Sequence, residues 1–324
     1  MRMCVVVVCA AVMAGGFCAL SGGADRGPAS SQAGDLFPQV VGTRMGTPEQ
    51  DKVVKFDKSQ ASQEAAELNA ARKQFAQMAK TYKVRTTEIA TEHFVLFTDA
   101  PAEEQAFLKK SVEEAYAATS KQLGAADGAA WYMGKMPVYV WSTHEPLARG
   151  SEEFDAINLP ESVPGYHVMT SDGTGHVAMT LEGVKAGDDD PGRRGFVHVL
   201  RRECFGAFLG RWRTSRSLPI WLERGLGELV AEEEHPDVAA KKVAQDVLAA
   251  KGSIRGAFTD ADPQGDWIPV LETVVEMMAA KDPKAMLEMC KALKDGARPA
   301  DAVKRWYGWD FGGLERAWRE YVEK

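Results

Sequence analysis

The stretch Gly195–Glu232, GFVHVLRRECFGAFLGRWRTSRSLPIWLERGLGELVAE, decides how the rest of this chain is read. It holds two helical patterns. The first runs from about Gly195 to Trp212, with Val197, Leu200, Cys204, Ala207, Phe208 and Leu209 at helix-like spacing. The second begins near Leu218-Pro219, where proline suits a first helical turn, and carries Trp221, Leu222, Leu226 and Leu229 inward. A short polar turn, Arg213-Thr214-Ser215-Arg216-Ser217, joins them.

This helix pair resembles the active-site core of gluzincin-type zinc metallopeptidases, the peptidase MA-like group. In that family the first helix carries His-Glu-x-x-His and the second reads Leu-Pro-x-Trp-Leu-x-Glu-Gly-Leu-Ala-Glu. Here the first motif falls on Arg202-Glu203-Cys204-Phe205-Gly206. The second falls on Leu218 to Glu228, LPIWLERGLGE. The frame matches and the ligands do not. Arg202 and Gly206 stand at the two His positions, and Arg224 stands at the position of the third ligand, a Glu.

Two His at i and i+4 share one helix face, and with a Glu from the next helix they leave one zinc position open for water. Zinc lowers the pKa of that water, and the motif Glu acts as general base. Of this set only the base position, Glu203, is kept. Arginine is permanently protonated and offers no lone pair to a metal. The resemblance therefore implies a degenerate member of the family, a pseudopeptidase that has lost zinc and has no metal ligands at these positions. A rebuilt metal site from His198, Glu203 and Glu223 is the alternative, because His198 lies one turn before Arg202 on the same helix face.

Family geometry would bring Arg202, Glu203, Arg224 and Glu228 together. Unpaired guanidinium groups cannot be buried side by side, since each uncompensated buried charge costs several kcal/mol. The expectation is a swap of metal for ion pairs, Arg202 with Glu228 and Arg224 with Glu203, both bidentate. In a competing reading, the surplus positive charge, with Arg201 nearby, holds a carboxylate or phosphate.

Outward from this core, the chain of 324 residues is long enough for one large or two ordinary domains. It is 45% hydrophobic and 26% charged, the composition of a globular protein. A net charge of −7 argues against a nucleic-acid partner, which usually meets a basic domain or stripe. Residues 1–24 read as a secretory signal: Arg2, an apolar run from Cys4 to Leu20, then small residues. That run is short for a membrane span of about 20 residues. Export to the periplasm or outside is expected, with no membrane span after cleavage. Residues 25–59 form a low-complexity tether, and 60–85 a helical arm that docks on the domain or stands off it. The folded domain then occupies 86–324.

Within the domain, strands are expected at Glu92–Thr98 and Met136–Trp141, with a helix from about Ala102 to Leu123 between them. A short helix around Glu145–Phe154 precedes a hairpin of Tyr166–Met169 and His176–Met179. After the core the chain is nearly all helical, with candidates at about 236–251, 267–280, 283–295, 299–307 and 311–322. The fold class is α+β: a small mixed sheet packed on the two-helix core, then a mostly helical C-terminal part. This order of elements is also that of the resembled family.

The remaining candidates favour bland readings. Asp188-Asp189-Asp190 spaces its carboxylates too tightly for a calcium loop and suits the positive N-terminus of the next helix. His167 and His176, if facing each other across the hairpin, offer a metal pair; exposed strand positions are the simpler reading. Cys204 lies on the apolar face and reads as a buried thiol, pairing with Cys290 only if the fold joins them. No Gly-x-Ser-x-Gly elbow occurs. The function expected is an exported, non-catalytic protein that binds a peptide or cell-envelope partner through the inherited cleft. An active metal-dependent peptidase and a purely structural envelope protein are the alternatives.

Overall fold

The computed structural model describes residues 41–44, 53–56, 63–124, 134–185, 190–232, 238–259 and 265–324. The expected signal segment and most of the tether lie outside the described residues, as do Asp188 and Asp189. The first half runs β1 (Val41–Arg44), α1 (Glu64–Tyr82), β2 (Thr87–Ala90), β3 (Phe94–Thr98), α2 (Gln105–Gln122), β4 (Met136–Trp141), α3 (His144–Asp155), β5 (Gly165–Met169) and β6 (Gly175–Thr180). The second half is helical: α4 (Pro191–Arg211), α5 (Ile220–Ala231), α6 (Val238–Lys251), α7 (Arg255–Thr259), α8 (Trp267–Lys281), α9 (Pro283–Lys294), α10 (Pro299–Tyr307) and α11 (Phe311–Val322). The class is α+β, as expected.

The strands form one sheet in the order β1-β5-β6-β4-β3-β2. Only β2–β3 and β5–β6 pair antiparallel; the other three pairings are parallel. Helices cover both faces, so β3, β4 and β5 are buried at every position and read as continuous apolar runs instead of alternating ones. On one face Phe94, Leu96, Val138, Val140, Val177 and Met179 pack against α2 and α4. On the other, Val95, Phe97, Tyr139, Trp141, Tyr166 and Val168 pack against α1 and α3. The helical arm is thus a full layer of the fold: Leu68, Ala71, Phe75 and Met78 are buried under the sheet. A buried ion pair pins it, with Arg211 donating to Glu67 and to the Gly173 carbonyl.

Helix α4 is the central element. Asp190 caps its N-terminus, accepting from the Arg193 N–H, and Pro191 opens the first turn. Its Val199, Leu200, Cys204, Ala207 and Phe208 face the sheet, whereas Phe205, Leu209 and Trp212 enter the helical half beside α5 and α8. An α-helix apolar on two sides belongs inside a protein. Burying each large apolar side chain contributes about 1.5–3 kcal/mol, so α4 is held from both directions. Cys204 and Cys290 are both free and buried, in different clusters.

Helix α5 packs against α8 so closely that a Cβ at Gly225 would lie 2.5 Å from the Leu271 carbonyl oxygen. Strands β1 and β2 and helix α7 were not expected from the sequence; β1 is a sheet strand within the stretch read as a tether, and β2 is exposed at three of its four positions. Among the described residues no helix is long and apolar enough to cross a membrane.

Candidate functional site

The site lies where α4 and α5 cross behind β5. Consecutive turns of α4 place His198 and Arg202 on one face, opposite Glu228 of α5. Arg202 is 6% exposed and Glu203 is fully buried. Arg202 forks between two carboxylates: Nε donates to Glu203 Oε1 at 3.1 Å, and Nη1 to Glu228 Oε1 at 3.4 Å. The second oxygen of Glu228 meets His198 Nε2 at 3.0 Å, and His198 Nδ1 reaches Glu232 at 3.2 Å. The second oxygen of Glu203 meets His167 Nδ1, from β5, at 2.7 Å.

The charges support one another. Burial opposes ionisation of Glu203, but Arg202, the His167 hydrogen bond and the charge of Arg224 outweigh it and hold the carboxyl below its ordinary range. Glu228 is likewise lowered, with burial overcome by Arg202 and His198. Burial also works against a charged His198; the hydrogen bonds to Glu228 and Glu232 overcome it and raise the imidazole pKa to about 9.

The expected pairing of Arg202 with Glu228 is present, but not as a two-pronged grip on one carboxylate. Arg202 is shared, because Glu203 follows it in the chain and the guanidinium curls back to reach both. The expected partner of Glu203, Arg224, acts on it through its charge. The hydrogen-bonding role falls to His167.

His167 corrects the sequence reading in two ways. It is 9% exposed, not a surface strand residue, and His176 is 8% exposed. The two histidines do not face each other, since His167 pairs with Val177 and His176 with Val168, which puts the rings on opposite faces of the sheet. A Cβ at Gly206 would lie 2.3 Å from His167 Cε1, so the imidazole fills the space a side chain at 206 would need. One turn on, a Cβ at Gly210 would lie 2.8 Å from Met169 Cγ. The two glycines form a smooth groove on α4 that receives alternate residues of β5. A Gly-x-x-x-Gly pair in a helix was the signal available in the sequence.

Beside this network opens a cleft of about 240 Å³, between the end of β5, the glycine face of α4 and the start of α5. His167, Met169, Ser217 and Glu223 line it, with the buried Lys294 at its back. A smaller cavity of about 20 Å³ lies against Arg202, Glu203 and Arg224, and shares His167, Gly206 and Glu223 with the cleft. The N-terminal segment meets the elements that wall the cleft at two places. Strand β1 pairs with β5, Gly42 beside His167 and Arg44 beside Met169. Val54 and Phe56 bond the turn between α4 and α5 at Ser215 and Arg213.

These residues do not suit zinc. At the three positions that the resemblance would assign to ligands, Arg202 and Arg224 bring cations and Gly206 is covered by His167. Glu223, Glu203 and His198 do not assemble as a substitute: His198 turns to Glu228 and Glu232, whereas Glu203 turns to Arg202 and His167. Among the described residues no three His, Cys, Asp or Glu side chains gather as a metal-holding group. The chain matches no family model, and no curated protein matches it.

Proposed function

We propose that this chain is an exported, non-catalytic relative of gluzincin peptidases that binds a peptide in the cleft beside α4 and α5. The observation that carries the reading is the fate of the three ligand positions. One Arg bridges two carboxylates, a second adds its charge, and an imidazole from β5 covers the Gly. The positions that would hold a metal instead hold a charge network linking α4, α5 and β5. The cleft alongside keeps polar groups on its walls, His167 from β5, Glu223 from α5 and Ser217 from the turn between the two helices, which suits recognition of an extended segment. Export rests on the apolar N-terminal run, and an envelope protein is the corresponding source of the peptide.

Elemental analysis of the purified protein after zinc loading tests the first half of the reading. Less than stoichiometric zinc is expected; one tightly held zinc per chain would overturn it. Titration with a library of short peptides tests the second half, and saturable binding lost on filling the cleft with Ser217→Trp is expected.

A further inference from the structure

The hydrogen bonds around Arg202 leave one group over. Glu203 and Glu228 have all four carboxylate oxygens engaged: two by Arg202, one by His167 and one by His198. Arg202 has used Nε and Nη1. Its Nη2 is buried and, among the described residues, has no partner. Buried donors in native proteins are almost always satisfied, and one attached to a cation is the most costly to leave bare. No carboxylate oxygen of the network lies within hydrogen-bonding reach of it.

Arg202 also lines the 20 Å³ cavity, together with Arg224 from the other helix and with Glu203, whose charge Arg202 already offsets. A water occupies about 10–15 Å³ by this measure, so the space takes one or two oxygen-sized groups. It is too small for the four oxygens of a phosphate. The cavity is not sealed from the cleft, because His167, Gly206 and Glu223 border both.

We propose that this cavity is a carboxylate pocket, which takes the free C-terminal carboxylate of a peptide lying in the cleft. The two oxygens of a carboxylate match the space, and a guanidinium N–H is its preferred donor. Arg224, which also lines the cavity, supplies a second positive charge. The Glu223 carboxylate, on the border between cavity and cleft, does not enter the pocket's chemistry as a donor. It is placed to accept from a backbone N–H of the peptide, and it disfavours a second negative charge there. The pocket thus selects a chain end over an internal segment. This inference rests on the reading of the cleft as a peptide site.

The test compares N-acetyl-trialanine with its C-terminal amide by calorimetric titration of the full chain, with sodium acetate titrated alone. The free acid is expected to bind about tenfold or more tighter than the amide, the scale of one hydrogen bond to a charged group. Acetate is expected to compete with the acid. Arg202→Lys keeps a cation but lacks Nη2, and should erase the preference. Should that variant unfold, the comparison of acid with amide on the unaltered chain still decides. Equal binding of acid and amide would overturn the carboxylate pocket and leave the peptide reading standing. Binding of acetate with neither peptide bound would overturn the peptide reading and, with it, the chain end as the occupant of the pocket. Silence from all three probes would overturn both.

Discussion

Tyr166 and His167 are adjacent in β5, yet they enter two different buried networks on opposite faces of the sheet. On the α1 and α3 face, Asp155 accepts from the Tyr166 hydroxyl at 2.7 Å and meets His176 at 3.1 Å. On the α4 face, Glu203 meets His167 at 2.7 Å and Arg202 at 3.1 Å. Each network centres on a carboxylate that orients a histidine. Their surroundings differ. The first is roofed by Phe75, Met78 and Leu147 over a cavity of about 20 Å³. The second carries both Arg202 and Arg224 and abuts a cleft of about 240 Å³. A buried carboxylate–histidine pair is therefore no mark of a site by itself; what distinguishes the α4 face is an arginine–carboxylate network beside open volume.

The sharpest way to break the comparison is Arg202→Met. It removes the cation shared by two buried carboxylates and should cost about 3–5 kcal/mol, read by urea denaturation. An unchanged midpoint would remove the claim that the network joins α4 to α5. On the closed face, Asp155→Ala leaves Tyr166 and His176 without their shared acceptor. A loss of about 2–3 kcal/mol is expected there, with peptide binding unaltered. If that variant abolished binding, the two faces would not be functionally distinct.

Proton linkage supplies a third contrast. The folded pKa of His198, about 9, lies above the ordinary 6.5, so its contribution is complete below pH 6.5 and disappears as pH rises through 9. On the order of 2 kcal/mol should be lost across that window, and His198→Gln should flatten the slope between pH 6.5 and 9. The smallest effect concerns Gly206→Ala. Helix propensity favours alanine by about 1 kcal/mol, but the new Cβ displaces the His167 ring, for a net loss of about 1 kcal/mol. In a His167→Ala background, where no ring is in the way, the Gly206→Ala change should instead be stabilising by thermal melting. If it is not, the ring does not fill the place of the missing side chain.

Much of the fold was legible because α4, α5 and the C-terminal helices carry long apolar periodicities, and Pro283, Pro299 and Asp310 mark helix starts that the structure keeps. Strand β2 was not legible, since a four-residue edge with one buried position has almost no pattern. In the site, the residues of the two helices were gathered through the resemblance of their motifs to a two-helix peptidase core, and the bond from Arg202 to Glu228 was expected on that basis. The role of His167 was not legible, because it depends on which face of the sheet meets α4, and that register is fixed by contacts far apart in the chain. The division of Arg202 between two carboxylates is also a matter of ångströms, not of spacing.

The pairing of β1 with β5 has a consequence for the chain as an object that can be cut. The β5–β6 hairpin would otherwise end the sheet in a bare edge, with a row of unanswered N–H and C=O groups. The four residues of β1 seal it from more than a hundred positions upstream. Proteolytic trimming past Arg44 would leave the helical half intact and yet turn a finished sheet into one able to recruit a strand, from a sister molecule or from a client, along the very margin where the cleft begins.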